Sequence, residues 1–267
     1  MLSVCNDNGE RLVTTVAHTQ AVEQAIQIMH SNMQEFLTLE DLAAAAYLSP
    51  YHFNRIFRRL IGIPPIEFLS ALRFQMARHL LLATTLSVTN ICFEVGYTST
   101  GSFTHRFTQL TGLSPRLLRK RAHEFSLSTD PAPDMEEPPD SSMPHHIHMK
   151  NVLRGQISAP TDFQGTIYIG LFTSPIPQGR PVSCTRLCAP GPFLLRNVPD
   201  GIYYLMSAAF PMASELQTYL LPGKKQLLSS SANPLIIHNG QISGDPDLVL
   251  RPPHLTDAPL VMALPLL

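Results

Sequence analysis

The sequence predicts a multi-domain α plus β protein, in which an all-α tandem helix-turn-helix domain is followed by a small antiparallel β-sandwich. Three observations predict it. Residues 16–125 hold only four prolines and repeat apolar residues at helical spacing. Residues 150–267 hold fifteen prolines and nine glycines between short β-branched and aromatic runs, which is the punctuation of a β domain. The first half also carries an internal duplication at an offset of fifty residues. A chain of 267 residues is long enough for two such domains, each with a core.

Residues 1–15 read as a flexible N-terminus. They carry acids and amides where a signal peptide needs a charged start and an apolar run. No stretch approaches the ~20 apolar residues that span a bilayer, so a cytoplasmic location with no membrane contact is expected. Four cysteines without a CxxC make neither a disulfide framework nor a zinc ribbon. Cys184 and Cys188 could meet on neighbouring strands; reduced, buried thiols are the simpler expectation.

The helical elements follow in order. Thr38-Leu-Glu-Asp41 caps a short helix whose Leu39, Leu42, Ala43 and Ala46 turn inward, the small residues permitting close approach. In the duplicated segment, YLSPYHFNRIFRRLIGIPP (47–65) aligns with YTSTGSFTHRFTQLTGLSP (97–115). Ser49 and Ser99 are N-caps, and Pro50 suits the first turn. Phe53, Ile56, Phe57 and Leu60 form one buried stripe, which Phe103, Phe107 and Leu110 repeat. Gly62 and Gly112 end the helices, where a left-handed residue costs glycine little. Between the copies, a helix over 66–82 presents Leu69, Leu72, Met76 and Leu80 as one stripe and spans roughly 25 Å. Ser87–Val95 is the short helix of the second unit.

An ordinary bundle with a duplicated hairpin explains the stripes equally well. Two features favour DNA. The outward side of helix 49–61 carries Tyr51, His52, Asn54, Arg55, Arg58 and Arg59 with no acid among them, donors suited to base edges and phosphates. The intervening helix is a rod able to hold two recognition helices about one DNA turn apart, roughly 34 Å. Ten Lys or Arg against seven Asp or Glu give residues 16–125 a modest +3. Arg116, Arg119, Lys120 and Arg121 on the last helix are poised for phosphate.

Residues 126–149 hold five prolines, five acids and no Lys or Arg, the composition of a semi-extended linker. His145, His146 and His148 lie in it without an acid or thiol at coordinating spacing, so no metal is expected. The two domains are therefore expected to fold separately. In the β half, strands are expected at 151–158, 165–173, 192–198, 201–210, 234–238 and 246–250. Ile167, Ile169 and Leu171 share a face, with Tyr168 and Phe172 opposite. Pro199-Asp200-Gly201 is a turn, and the strand after it, apolar on both sides, is central. Tyr203, Tyr204 and Tyr219 are sheet-face residues before they are cleft residues.

No catalytic motif appears: there is no G-x-S-x-G, H-E-x-x-H, P-loop or G-x-G-x-x-G. His238, Asp245, Asp247 and His254 cluster in sequence only, as loop residues. No enzyme, catalytic residue, cofactor or metal is expected.

Residues 18–123 resemble the DNA-binding domain of the AraC/XylS family of bacterial transcription regulators. The stretch from Ile91 to Arg121, ICFEVGYTSTGSFTHRFTQLTGLSPRLLRKR, is similar to its signature region. The resemblance implies base-reading positions at Tyr51, Asn54 and Arg55 in the first unit and at Thr100, Gly101, Ser102 and His105 in the second, with Arg58 and Arg59 as phosphate clamps. Gly101 has no side chain and His105 stands where a longer base is usual, so the first unit is expected to carry most of the readout. Promoter DNA is the implied partner, with RNA polymerase beside it. NVPDGIYYL (197–205) resembles, more weakly, transthyretin-like and carboxypeptidase-regulatory-like sandwich domains. The C-terminal domain would then sense a small-molecule effector, self-associate or recruit a protein partner. Recruitment with the helical domain as a mere DNA tether is the alternative reading. A DNA-repair methyl-transfer fusion would need a metal-held reactive cysteine cluster, which the sequence lacks.

Overall fold

The structure is a computed structural model and describes residues 7–127, 151–160, 163–211, 226–231 and 233–262. Among the described residues, seven helices are followed by a mostly antiparallel β region. Helix α1 (Asp7–Ser31) begins well before residue 16. Then come α2 (Leu39–Ala45), α3 (Pro50–Ile61), α4 (Pro65–Ala83), α5 (Val88–Glu94), α6 (Thr100–Thr111) and α7 (Pro115–Leu127). Most of the expected 126–149 linker, including its three histidines, lies outside the described residues.

The caps take the form the residues dictate. Thr38 and Asp41 make a reciprocal capping box, Thr38 Oγ1 accepting from the Asp41 N–H and Asp41 accepting from the Thr38 N–H. Those hydrogen bonds, side chain first, hold the Asp41 carboxyl below its ordinary range. Ser49, Ser87 and Ser99 each accept a backbone N–H from the first turn of α3, α5 and α6. Gly62 and Gly112 close α3 and α6 at φ 90° and 85°.

The central helix is buried more widely than one stripe. Phe68, Leu69, Ala71, Leu72, Phe74, Ala77 and Leu81 of α4 are all buried, while Met76 is 38% exposed and Leu80 only half-buried. The single-stripe expectation fails because α4 packs against helices on several sides: Phe68 meets Phe57 of α3, and Phe74 meets Phe103 and Phe107 of α6. The α3 stripe is likewise shorter than expected, since Leu60 turns out to be exposed.

The β region contains β1 (Asn151–Ser158), β2 (Gly165–Phe172), β3 (Ser183–Leu187), β4 (Gly191–Val198) and β5 (Gly201–Pro211). It continues with β6 (Leu227–Ser230), β7 (Leu235–His238), β8 (Gln241–Ser243) and β9 (Leu248–Val249). A three-stranded sheet has the order β4-β1-β9, and a six-stranded one the order β3-β2-β5-β7-β8 with β6 also on β5. One pair departs from the antiparallel expectation: β9 runs parallel to β1. Strand β5 is central, and Pro199-Asp200 carries the chain from one sheet to the other. Asp200 fixes this crossover by accepting from the Asn239 N–H at 2.7 Å and from Asn151 Nδ2 at 2.8 Å.

Alternation assigns two faces to the second sheet. Ile167, Ile169, Leu171, Leu205 and Ala209 join Leu153, Ile157 and Leu195 of the first sheet in one apolar cluster. Tyr168, Phe172, Met206, Ala208 and Phe210 face the other way and meet Leu260 and Met262. The sequence missed β3, β6 and β8, which are short and carry no run of alternating apolar residues. Cys184 and Cys188 are free thiols; Cys184 is half-buried, its thiol pushed up by burial, and Cys188 is exposed instead of buried.

Apolar residues cross the boundary between the two halves. Ile176, from the loop after β2, and Val261, near the C-terminus, are buried in the helical core. The guanidinium of Arg78 on α4 is fully buried, donates from Nη1 to the carbonyl of Met262, and is pushed down to about 10 by burial. The two halves thus share apolar residues, which the proline-rich boundary conceals.

Candidate nucleic-acid interface

Helix α3 buries Phe53, Ile56 and Phe57 and leaves its other side to solvent. Tyr51 is 80% exposed, Arg55, Arg58 and Arg59 are exposed, and Asn54 is half-buried. The alternation follows from the spacing: apolar residues at i, i+3 and i+4 take the core side, so the intervening polar ones cannot. Arg55 is oriented by its own helix, its Nη2 lying 3.1 Å from His52 Nδ1.

Helix α6 buries Phe103, Phe107 and Thr111. Gly101, Ser102, His105 and Arg106 are exposed and Thr100 is half-buried. All nine predicted residues therefore lie at or near the surface of these two helices, Tyr51, Asn54, Arg55, Arg58 and Arg59 on α3 and Thr100, Gly101, Ser102 and His105 on α6. The α3 side offers guanidinium forks and an amide; the α6 side offers hydroxyls, one imidazole and Arg106, which the sequence reading passed over.

Sequence reasoning also missed His18. It comes from α1, its ring 5.7 Å from that of His52, and is held below the ordinary histidine value by partial burial and then by the positive charges of His52, Arg59 and Arg55. Only a tertiary contact brings it to α3; local periodicity carries no such signal.

One expectation about the last helix is corrected. Arg119 is committed to the carbonyls of Leu81 at 3.1 Å, Thr84 at 3.4 Å and Leu86 at 2.8 Å. Its charge satisfies the unpaired carbonyls at the end of α4, and that use removes it from a phosphate role. Lys120 pairs with Glu124 at 3.6 Å, and Arg116 is exposed.

The β region touches the far ends of both helices. The Gly179 N–H donates to the Leu110 carbonyl near the end of α6, and Pro175 packs beside Gly62 at the end of α3. Elsewhere the expected loop residues have structural partners. Asp247 accepts from the Gln156 N–H, and Asp257 fixes both the His254 N–H and Arg251. Among the described residues no group of three His, Cys, Asp or Glu is arranged to hold a metal, and no helix is long and apolar enough to cross a membrane. Tyr219 lies outside the described residues.

Comparison with known proteins gives this geometry a family. A family model described as a helix-turn-helix domain matches residues 42–121. The chain is 30% identical over 106 residues to the HTH-type transcriptional activator AarP of Providencia stuartii, covering 38% of this chain and 78% of that one. It is 29% identical over 109 residues to the regulatory protein PocR of Salmonella typhimurium, covering 41% of this chain but only 36% of the relative. A solved AraC-type regulator from Chromobacterium violaceum is 26% identical, with a TM-score of 0.38, covering 39% of this chain and 93% of that one. The chain belongs to the AraC/XylS family of transcription regulators.

Proposed function

We propose that the protein is a sequence-specific DNA-binding transcription regulator acting at promoters. Residues 16–125 form the DNA-binding domain, in which α2–α3 and α5–α6 are tandem helix-turn-helix units and α4 is the rod between them. Residues 150–267 form a β-sandwich joined to it by 126–149, and this half supplies sensing or self-association. One observation carries the reading: α3 is a serine-capped helix that buries Phe53, Ile56 and Phe57 and turns to solvent an acid-free side bearing exposed Tyr51, Arg55, Arg58 and Arg59 and half-buried Asn54.

The roles follow from the chemistry. Arg55, near the start of α3 and exposed, reads guanine through its two-pronged donor set; Asn54 suits adenine, and Tyr51 suits a thymine methyl or a phosphate. Arg58 and Arg59, a turn further on, grip the backbone. In α6, Thr100, Ser102 and His105 make lighter contacts around Gly101, whose missing side chain lets the backbone approach. Double-stranded DNA is the partner, and RNA polymerase is the protein reached from a promoter.

Selection of bound duplexes from a random pool, using the full chain, tests this. A common motif is expected. On that motif Arg55→Ala weakens binding by about 1–3 kcal/mol and relaxes preference at one base position. Undiminished and equally selective binding by the variant removes Arg55 as a reader; no enrichment at all overturns the regulator reading.

A further inference from the structure

We infer that the cleft between the end of α3 and the outer face of the six-stranded sheet is a binding site for a small aromatic acid. Its volume is about 610 Å³, within the roughly 300–1,000 Å³ of sites that enclose small organic molecules. The sheet register orders the residues that floor it. Cys184, Gly170, Met206 and Ser230 stand side by side across β3, β2, β5 and β6. Glycine contributes no side chain to that row, and the Phe172 ring lies so close to it that a Cβ there would sit 2.8 Å from the ring. The row is flanked by Tyr168 with Leu228 on one side and Phe172 with Tyr204 on the other, and the Phe172 ring lies over its glycine, so that Cys184, Met206 and Ser230 meet the cleft beside an aromatic floor.

The chain's own C-terminal segment covers part of this apolar face through Leu260 and Met262 and leaves the rest open. The opposite wall is Arg59, Leu60 and Ile61 of α3 with the capping Gly62, and Pro175, Arg180 and Pro181 form a side. The lining therefore joins aromatic rings and a thioether to a positively charged rim. Rings of Tyr168, Phe172 and Tyr204 with the sulfur of Met206 favour an aromatic body.

Charge selects the head group. Three arginines and one acid line the cleft among the described residues. The acid, Asp257, is taken by Arg251 through two hydrogen bonds of 2.8 and 2.5 Å. Arg59 and Arg180 are exposed and pair with no acid among the described residues. That leaves an excess of two positive charges, which disfavours a cationic ligand and suits the two oxygens of a carboxylate. Arg58 and Arg59 also offset the negative end of the α3 dipole, which would otherwise oppose an anion.

Because α3 forms one wall, the occupant touches the helix that bears Tyr51, Asn54 and Arg55. Occupancy therefore alters DNA affinity, a consequence that rests on the proposed function, whereas binding of the acid does not.

The test uses the full chain and 2-naphthoate, with 2-naphthylmethanol as its uncharged analogue. Calorimetry without DNA is expected to show one site for naphthoate, with the alcohol at least tenfold weaker. Arg180→Gln is expected to weaken naphthoate about tenfold, and Cys184→Trp, which puts an indole into the cleft from its lining, to abolish binding while melting cooperatively. If Cys184→Trp does not fold, Arg180→Gln and the alcohol decide. No binding of naphthoate at millimolar concentration, or binding indifferent to both substitutions, overturns the site; equal affinity for the alcohol overturns the anionic assignment. Naphthoate binding by a chain that selects no DNA fails the regulator reading alone. Intact binding of both, with DNA affinity unchanged by naphthoate, overturns the coupling.

Discussion

Helix pairs α2–α3 and α5–α6 begin from matching residues and reach different surroundings, and the divergence starts at one backbone position. In the second pair Gly96 takes the left-handed conformation at φ 79°, and the next residue, Tyr97, turns inward. Its ring lies 5.2 Å from Phe74 and 5.6 Å from Phe103, and its hydroxyl is 3.2 Å from Ser70 Oγ. In the first pair alanine stands where Gly96 would be, and the left-handed residue is Tyr47 itself, at φ 56°. Its ring is 88% exposed. The same tyrosine is therefore an anchor in one unit and a surface group in the other.

That shift of one residue is matched by different attachments. The second unit is tied to α4 by three rings, Tyr97, Phe103 and Phe107, gathered on Phe74 of that helix. The first joins α4 through Phe57 on Phe68 and is covered by α1 as well. Their outer sides diverge too, arginines on α3 against hydroxyls on α6. A duplicated unit keeps its inward code, because caps and apolar spacing make the helices, and is free to change what it presents outward.

The largest expected effect is at the ring cluster. Phe74→Ala removes a fully buried ring and leaves a cavity among three others, costing about 3–5 kcal/mol. Hydrogen exchange separates the units: protection is expected to fall first in α5–α6 and least in α2–α3. Equal loss in both would mean that the units are not separately anchored.

The turn itself gives the next largest effect. Gly96→Ala places a Cβ 2.9 Å from the Met33 carbonyl in a left-handed conformation, so urea unfolding is expected to show a loss of about 2 kcal/mol. Tyr47→Gly relieves the same conformation where the side chain packs little, and a gain of up to ~1 kcal/mol is expected. If both substitutions shift stability in the same direction, the left-handed residue is not what distinguishes the turns.

How much of this was legible in the sequence depends on whether the signal is local. Ser49, Ser99, Gly62 and Gly112 announce their caps because a cap is made within a few residues. The repeat announced two similar helices, and the alternation of Ile167, Ile169 and Leu171 announced the faces of β2. Tertiary choices were not legible. Arg119 reads as a phosphate contact until the carbonyls at the end of α4 are found beside it. Met76 reads as core until Phe68 and Phe74 are seen to take the packing. Ile176 and Val261 sit in proline-rich loops whose composition says surface, yet they bury in the helical core. Among the candidate DNA residues, exposure followed from periodicity; the neighbour His18 did not, because α1 and α3 meet only in the fold.

His18 supplies the smallest effect and the sharpest contrast between the units, since its environment depends on the arginine-rich side that α6 lacks. Partial burial and then the charges of His52, Arg59 and Arg55 hold it below its ordinary value near 6.5. The folded protein thus binds this proton less readily than the unfolded chain does. The contribution to stability is fully present above about pH 6.5 and is lost as pH falls through the lowered folded value. His18→Gln keeps a polar side chain without the proton site, so the difference in Tm between pH 7.5 and pH 5.5 is expected to be smaller in the variant than in the parent. Arg59→Gln removes one of the repelling charges and is expected to shrink the same difference part of the way. An unchanged pH dependence in both variants would show that the charged side of α3 does not act on α1, and the electrostatic distinction between the two units would then be confined to the surfaces they present to a partner.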